Sequence, residues 1–283
     1  AEKTESGLRT LEELNELQGA SPIDVERQSS FWSLGGLMAV HSEGRDRESI
    51  WQAMKRKEVY ATTGHRILLH FDLMNEGISK PMGSFIQSNS NPKFRVKAIG
   101  SFKQLPGCPD YVYEALSEKR IQKISDGECY HPSDERYQLE RIEVIKITPQ
   151  NSKNEDPSTL IFDTWKTFEC DSNQVECEIE FTDEDFENQQ RDAVYYVRAI
   201  EEDTLLVNGS NLRTQFDADG HPISVDQCHA DYREDYEEEC LGPGGHRAWS
   251  SPIFVDYKEK VSTNIMVSEL NNILQENEES KVN

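Results

Sequence analysis

Apolar and polar positions change rhythm along the chain. Near the N-terminus, "LRTLEELNELQG" sets Leu8, Leu11, Leu14 and Leu17 at helical spacing and stops at Gly19. That stripe predicts a short helix docked on something, followed by a loop. Residues 37–41, "LMAVH", form a short apolar run between the Gly35–Gly36 pair and a polar turn, the pattern of a buried strand flanked by breakers. Asp46 is a good N-cap for the helix that follows. That helix, in "DRESIWQAMKRK", places Ile50, Trp51 and Met54 on one face and Lys55, Arg56 and Lys57 in the last turn, where cations suit the helix dipole. "RILLHFDL" reads as a further strand, and strand, helix and strand in close succession predict a βα unit of an α/β fold.

Beyond residue 75 the period shortens to two. "KFRVKAIG" alternates Phe94, Val96 and Ala98 against Arg95 and Lys97, and "ERIEVIKI" alternates Ile142 and Val144 against Arg141 and Glu143. "CEIEF" sets Cys177, Ile179 and Phe181 against two glutamates, and "AVYYVRAI" and "SSPIFVDY" complete the set. Such runs, separated by turn-rich segments, predict an antiparallel β-sandwich with one buried and one wet face per sheet. Residues 101–138 and 203–248 read as long loops. The C-terminal "STNIMVSELNNILQENEESKVN" has Met266, Val267, Leu270, Ile273 and Leu274 at helical spacing, a helix returning to the core or docking on a partner, with an acidic tip. No internal repeat is visible. The predicted organisation is therefore 1–33 helix and loop, 34–64 βα unit, 65–258 β-sandwich, and 259–283 helix and tail.

Composition narrows the partners. The 283 residues carry 53 acidic against 30 basic side chains, a formal net charge of −23. Such a field repels nucleic acid and anionic membrane surfaces, so neither is an expected partner. No apolar run approaches the roughly 20 residues needed to span a bilayer. Six cysteines fall as three local couples, Cys108 with Cys129, Cys170 with Cys177, and Cys228 with Cys240. Six cysteines permit fifteen pairings, of which three local loops are the simplest, and six buried thiols are the alternative. No CxxC and no zinc-finger spacing occurs. Disulfides persist in oxidising compartments, so the expected location is periplasmic or secreted. No signal peptide is visible, from which a mature form or a start further upstream is expected.

The opening segment carries a resemblance. "GGLMAVHSEGRDRESIWQAMKRKEVYATTGHRILLHFDL", together with "PMGS", "FKQLPGCPDY", "GECYHPSDER", "LERIEVIKITPQ", "DAVYYVRAIEE" and "AWSSPIFVDY", closely resembles a domain-of-unknown-function family numbered 3604, over roughly residues 23 to 257. That family looks like a branch of the PHP (polymerase and histidinol phosphatase) metal-dependent hydrolases. The resemblance implies a distorted TIM-like barrel with a cluster of two or three metal ions at its strand ends, zinc, manganese or iron. Bound metal would activate water for hydrolysis of a phosphoester or similar bond. The 37–41 strand and the 46–57 helix would then be the closing βα unit of the barrel, and the sandwich an accessory domain. The superfamily's His-x-His and late Ser-Asp-x-His are absent from this sequence. The resemblance thus implies the C-terminal part of such an enzyme, with its main metal ligands supplied by an N-terminal barrel half or a partner chain.

Within that resemblance, His41, Glu43 and Arg45 lie at the end of the last barrel strand, where barrel enzymes place their chemistry. Glu43 is a candidate metal ligand, general base or hydrogen-bond partner to one. His41 is a candidate to contact substrate or to orient a ligand, although tryptophan often matches its position in the family. The alternative is a polar turn capping the helix at Asp46. Arg45 and Arg47 are candidates for holding a small anionic substrate, since guanidinium pairs with phosphate bidentately. Pairing with Glu43 or Glu48 is the alternative. His65 departs from the proline or aspartate expected there and is assigned no role, and His70 reads as structural. "FDADGHPISVD" offers Asp217, Asp219 and Asp226 and resembles part of a calcium loop, but it lacks the third early acidic position and the terminal Glu, so an Asp–Gly turn is expected and calcium is not. Asn208 opens an "NGS" sequon. Nucleotide-binding, serine-hydrolase and zincin motifs are absent. Two functions remain: the C-terminal part of an exported metal-dependent hydrolase, or a non-catalytic binding or scaffold module acting through its sandwich.

Overall fold

A computed structural model describes residues 36–258 apart from 76, 126, 172–173, 208, 212–213, 219 and 226–240. In chain order the elements begin with β1 (Leu37–Val40), helix α1 (Arg47–Lys55), β2 (Val59–Thr62), β3 (Leu68–Asn75), β4 (Ile78–Pro81), β5 (Phe85–Ser88) and β6 (Lys93–Ile99). There follow β7 (Phe102–Gln104), α2 (Asp110–Ala115), α3 (Glu118–Ser125), β8 (Pro132–Arg136), β9 (Leu139–Ile147), β10 (Ile161–Glu169) and β11 (Glu176–Thr182). The last are α4 (Phe186–Gln189), β12 (Ala193–Val207), β13 (Thr214–Phe216), β14 (Pro222–Val225), β15 (Leu241–Ser250) and β16 (Ile253–Tyr257). The helices predicted near residues 8–17 and 266–274 lie outside the described residues.

Two mainly antiparallel sheets face each other. The larger has eight strands in the order β1-β2-β15-β12-β16-β5, with β9 on the other edge of β12 and β10 beyond it. Its one parallel pair is β16 with β5. The smaller sheet runs β11-β6-β3-β4. The period-two pattern accounts for the core between them. On β6, Phe94, Val96 and Ala98 are all 0% exposed, while Arg95 and Lys97 pair outward with Asp72 and Glu176. Ala193, Tyr195, Val197 and Ala199 of β12 and Ile142 and Val144 of β9 point into the same cluster from the larger sheet. The Phe94 ring lies 4.7 Å from Tyr195 of the facing sheet and 5.1 Å from Phe181 beside it. Each such fully buried apolar side chain contributes roughly 1.5–3 kcal/mol.

Beside this core, Lys146 and Asp183 are buried and paired at 2.5 Å, the Tyr195 hydroxyl donates to Asp183 Oδ2 at 2.5 Å, and Lys146 also donates to Gln189 Oε1. Burial, then the Asp183 charge, pushes the Tyr195 phenol well above its ordinary range.

The strand–helix–strand segment differs from its predicted form. Asp46 does cap α1, accepting from the Glu48 and Ser49 N–H groups at 3.1 and 3.0 Å. The chain then reverses through Lys57, at φ 60°, and β2 returns antiparallel to β1, with Leu37 opposite Thr62. β2 in turn pairs with β15. Among the described residues, then, the 34–64 segment is an antiparallel extension of the sandwich sheet rather than a separate βα unit, and no barrel is present. The pattern hid this because β2 is four residues of alternation, squeezed between the helix end and the Thr62–Thr63–Gly64 turn. "RILLHFDL" is a strand as predicted, β3, but belongs to the opposite sheet.

Two of the three predicted disulfides are formed. Cys108–Cys129 closes the insertion that carries α2 and α3. Cys170–Cys177 ties the end of β10 to β11, and so one sheet to the other. The Cys228–Cys240 pair lies outside the described residues. The segment 203–248 is less of a loop than its glycines implied. Residues 203–207 end β12, and Gly242 and Gly245 sit inside β15, pressed against other backbone. A Cβ at Gly245 would lie 2.3 Å from the Glu201 carbonyl oxygen, and one at Gly242 would lie 2.4 Å from that of Gly209. These glycines mark close approach rather than a break.

Candidate functional site

The residues singled out in the sequence flank the turn after β1, but they do not converge. His41 leaves β1 turned toward the smaller sheet: its Nε2 is 2.8 Å from the Leu69 carbonyl oxygen, to which it donates. Its ring lies 4.5 Å from His70 and 5.3 Å from Tyr60. Burial, then the neighbouring His41, lowers the pKa of His70 below its ordinary value. Glu43 is exposed, and its charge acts on Arg56. Arg45 and Arg47 are exposed as well, and among the described residues neither pairs with Glu43 or Glu48. Arg47 borders a shallow groove whose remaining wall is Glu48, Ile50, Trp51 and Met54 of α1.

Nor do metal ligands assemble: among the described residues no group of three His, Cys, Asp or Glu side chains could hold an ion. The donor set of a metal-dependent hydrolase is therefore not built from these residues, and no catalytic step through a metal is assigned to them. Asp217 makes the expected turn, accepting from the His221 N–H at 2.8 Å. Asp219 and Asp226 fall outside the described residues.

A different constellation forms where β2 crosses to β3. Glu201 follows Ile200 at a shift in the register of β12 against both β15 and β9, and it turns inward there. Its side chain is 1% exposed. One carboxylate oxygen accepts from the Ser101 N–H at 2.6 Å, and the other lies 2.6 Å from Nδ1 of His65. Ser101 Oγ stands 3.2 Å from the same nitrogen. The His65 ring is stacked on His246, centroids 3.4 Å apart, and on Tyr137 at 4.9 Å. His246 Nδ1 meets Thr63 Oγ1 at 2.9 Å, and burial, followed by the neighbouring His65, pushes His246 down to about 4. Gly100 lets the turn before Ser101 close, since a Cβ there would lie 1.9 Å from the Tyr137 carbonyl oxygen.

A carboxylate only accepts, so Glu201 fixes the proton of neutral His65 on Nδ1. With Nδ1 engaged by Glu201 and its ring stacked on His246 and Tyr137, His65 lines a cleft of about 240 Å³. Arg66, Ser101, Phe102, Gln104 and Tyr130 border the same cleft. The Arg66 guanidinium carbon lies 3.5 Å from the centre of the Tyr130 ring.

Sequence reasoning missed this group because its members are 36 and 136 positions from His65. On β12 burial alternates from Ala193 to Ala199 and then breaks, Ala199, Ile200 and Glu201 being buried in succession; the near-continuous apolar run "AVYYVRAI" carries no sign of that break.

Fold and site together define a disulfide-bridged, two-sheet β protein with one oriented histidine facing a small cleft. Residues 4–101 match a family described as Protein of unknown function (DUF3604). That stretch takes in β1, α1 and β2 to β6 and ends at Ser101. No curated protein and no solved structure matches the chain.

Proposed function

We propose that this chain is the C-terminal, sandwich portion of an exported metal-dependent hydrolase of the PHP-like class, whose metal ligands belong to a barrel half packed against β1 and α1. The observation that carries this reading is the apolar surface at the edge of the larger sheet. Leu37 and Met38 of β1 are 43% and 59% exposed, and Trp51 and Met54 of α1 are 51% and 38% exposed. Surface apolar residues grouped around an open sheet edge mark an interaction site. The family match begins at residue 4, ahead of β1 in the sequence, and so takes in β1 and α1 together with residues that precede them. The turn from His41 to Arg47 opens from the same edge, at the rim of the proposed junction. Two formed disulfides support an oxidising compartment.

The experiment is elemental analysis after exhaustive dialysis, on this chain and on the product of the same reading frame extended upstream. The extended product holds zinc, manganese or iron in at least stoichiometric amount and hydrolyses a generic phosphoester; this chain alone does neither. An extended product free of transition metal and of hydrolysis overturns the reading. A second reading, a binding module in its own right, is favoured by the His65 cleft, which is built wholly within the sandwich and without the 41–47 turn.

A further inference from the structure

The cleft at His65 carries a cation on an acidic molecule. The chain has a net charge of −23, and several of its arginines are paired with carboxylates: Arg191 with Glu155, Arg198 with Glu143 and Asp163, Arg141 with Glu140 and Glu143. Arg66, like Arg45 and Arg47, is not, and unlike them it borders a cleft with a positioned histidine. Among the described residues it has no carboxylate partner, and its guanidinium carbon lies 3.5 Å from the centre of the Tyr130 ring. His65, which lines the same cleft, is held by a buried carboxylate and two stacked rings, so its orientation is set before any ligand arrives. The other charges nearby are engaged: Arg136 donates to the Gly100 carbonyl and lies over Phe102, Glu128 accepts from the Gly107 N–H, and Lys103 faces Glu135.

We propose that this cleft is a binding site for a small oxyanion, the carboxylate or phosphate group of a small molecule, held between Arg66 and His65. His65 receives the anion when it carries both protons. Nδ1–H remains on Glu201, and Nε2–H donates into the cleft. Arg66 supplies the planar donor fork that suits a two-oxygen acceptor. Glu201 is a positioning residue: its charge balances protonated His65, and its two hydrogen bonds hold the imidazole in place. With about 240 Å³ available, the site takes an oxyanion headgroup and little more, so its ligand is a small acid or the anionic end of a larger molecule. The site draws on no residue of the β1–α1 face, so it stands or falls independently of the hydrolase reading.

The test is NMR of the histidine side chains, titrating the protein with inorganic phosphate and, separately, with acetate. Saturable movement of the His65 ring resonances with either anion is the expected result, and whichever binds more tightly identifies the acid class. In Arg66→Gln, affinity falls at least about tenfold, the loss of one charge-assisted pair. Lys153→Gln, which removes an exposed cation elsewhere, leaves the titration unchanged. No saturable movement with either anion overturns the proposal, as does an Arg66→Gln protein that binds as well as the parent.

Discussion

Asp183 holds two partners at once, a buried ammonium and a buried phenol, and nothing else nearby can take its place. Taking Lys146 and Asp183 out of water costs several kcal/mol, which their attraction and the Tyr195 and Gln189 hydrogen bonds offset. Asp183→Ala leaves Lys146 in the core without its carboxylate partner, with the Gln189 amide oxygen still accepting from it. The expected loss is about 3–5 kcal/mol in urea unfolding, and a loss under about 1 kcal/mol would show that the pair relaxes into water. His246 yields a pH prediction. Its folded pKa, about 4, lies below the ordinary 6.5, so the fold resists its protonation. Its contribution is fully present above pH 6.5 and is lost as pH falls from there toward 4, by up to about 3 kcal/mol. Replacing it by glutamine removes that proton. Parent and His246→Gln should therefore differ in how far their urea midpoints fall between pH 7 and pH 4, the parent falling further; parallel curves would exclude His246 as the cause. At this scale the sequence was read well where neighbours decide and poorly where distance does. The Asp46 cap lies three positions from its partner Ser49 and was legible. The Glu201–His65 pair spans 136 positions, and His65 was assigned no role.

Among the elements, the alternating runs became β6, β9, β11, β12 and β16 because period two is what a sheet with one buried face requires. The runs that escaped were short or glycine-rich: β2, with four residues, and the Gly242–Gly245 stretch of β15. Their strand character comes from neighbours, since β2 lies between β1 and β15, and β15 needs bare backbone against Glu201 and Gly209. Partnering also misled the βα reading, because a pattern records which residues are apolar but not which strand lies alongside. The cysteine couples carried better information. Cys170–Cys177 closes a loop of separation 7 and joins the sheets at β10 and β11. Replacing both cysteines by serine should cost about 2 kcal/mol of chain entropy in chemical denaturation while leaving the sandwich folded. Replacing Cys108 and Cys129, separation 21, should instead speed amide exchange in α2 and α3 ahead of the core strands. Uniform exchange in that second variant would mean the insertion is held by packing alone.

For the whole molecule, the balance of surfaces decides what the chain does next. Among the described residues the two sheets bury their apolar faces against each other. The chain's acidic exterior keeps copies apart. Against that background Met38 and Trp51 stand out, apolar, more than half exposed, and beside the strand that ends the larger sheet among the described residues. Met38→Asp combined with Trp51→Asp should therefore leave the urea midpoint of this chain within about 0.5 kcal/mol of the parent, the usual range for surface changes. Under the proposed hydrolase reading, the same pair should abolish copurification of the chain with a separately expressed product of any upstream reading frame, because two carboxylates would enter an apolar junction unpaired. If the variant unfolds instead, the face is covered from within the chain and the junction reading fails. If the variant folds and still captures that product, the junction lies on another surface, and the turn from His41 to Arg47 loses its place at the rim of an active site.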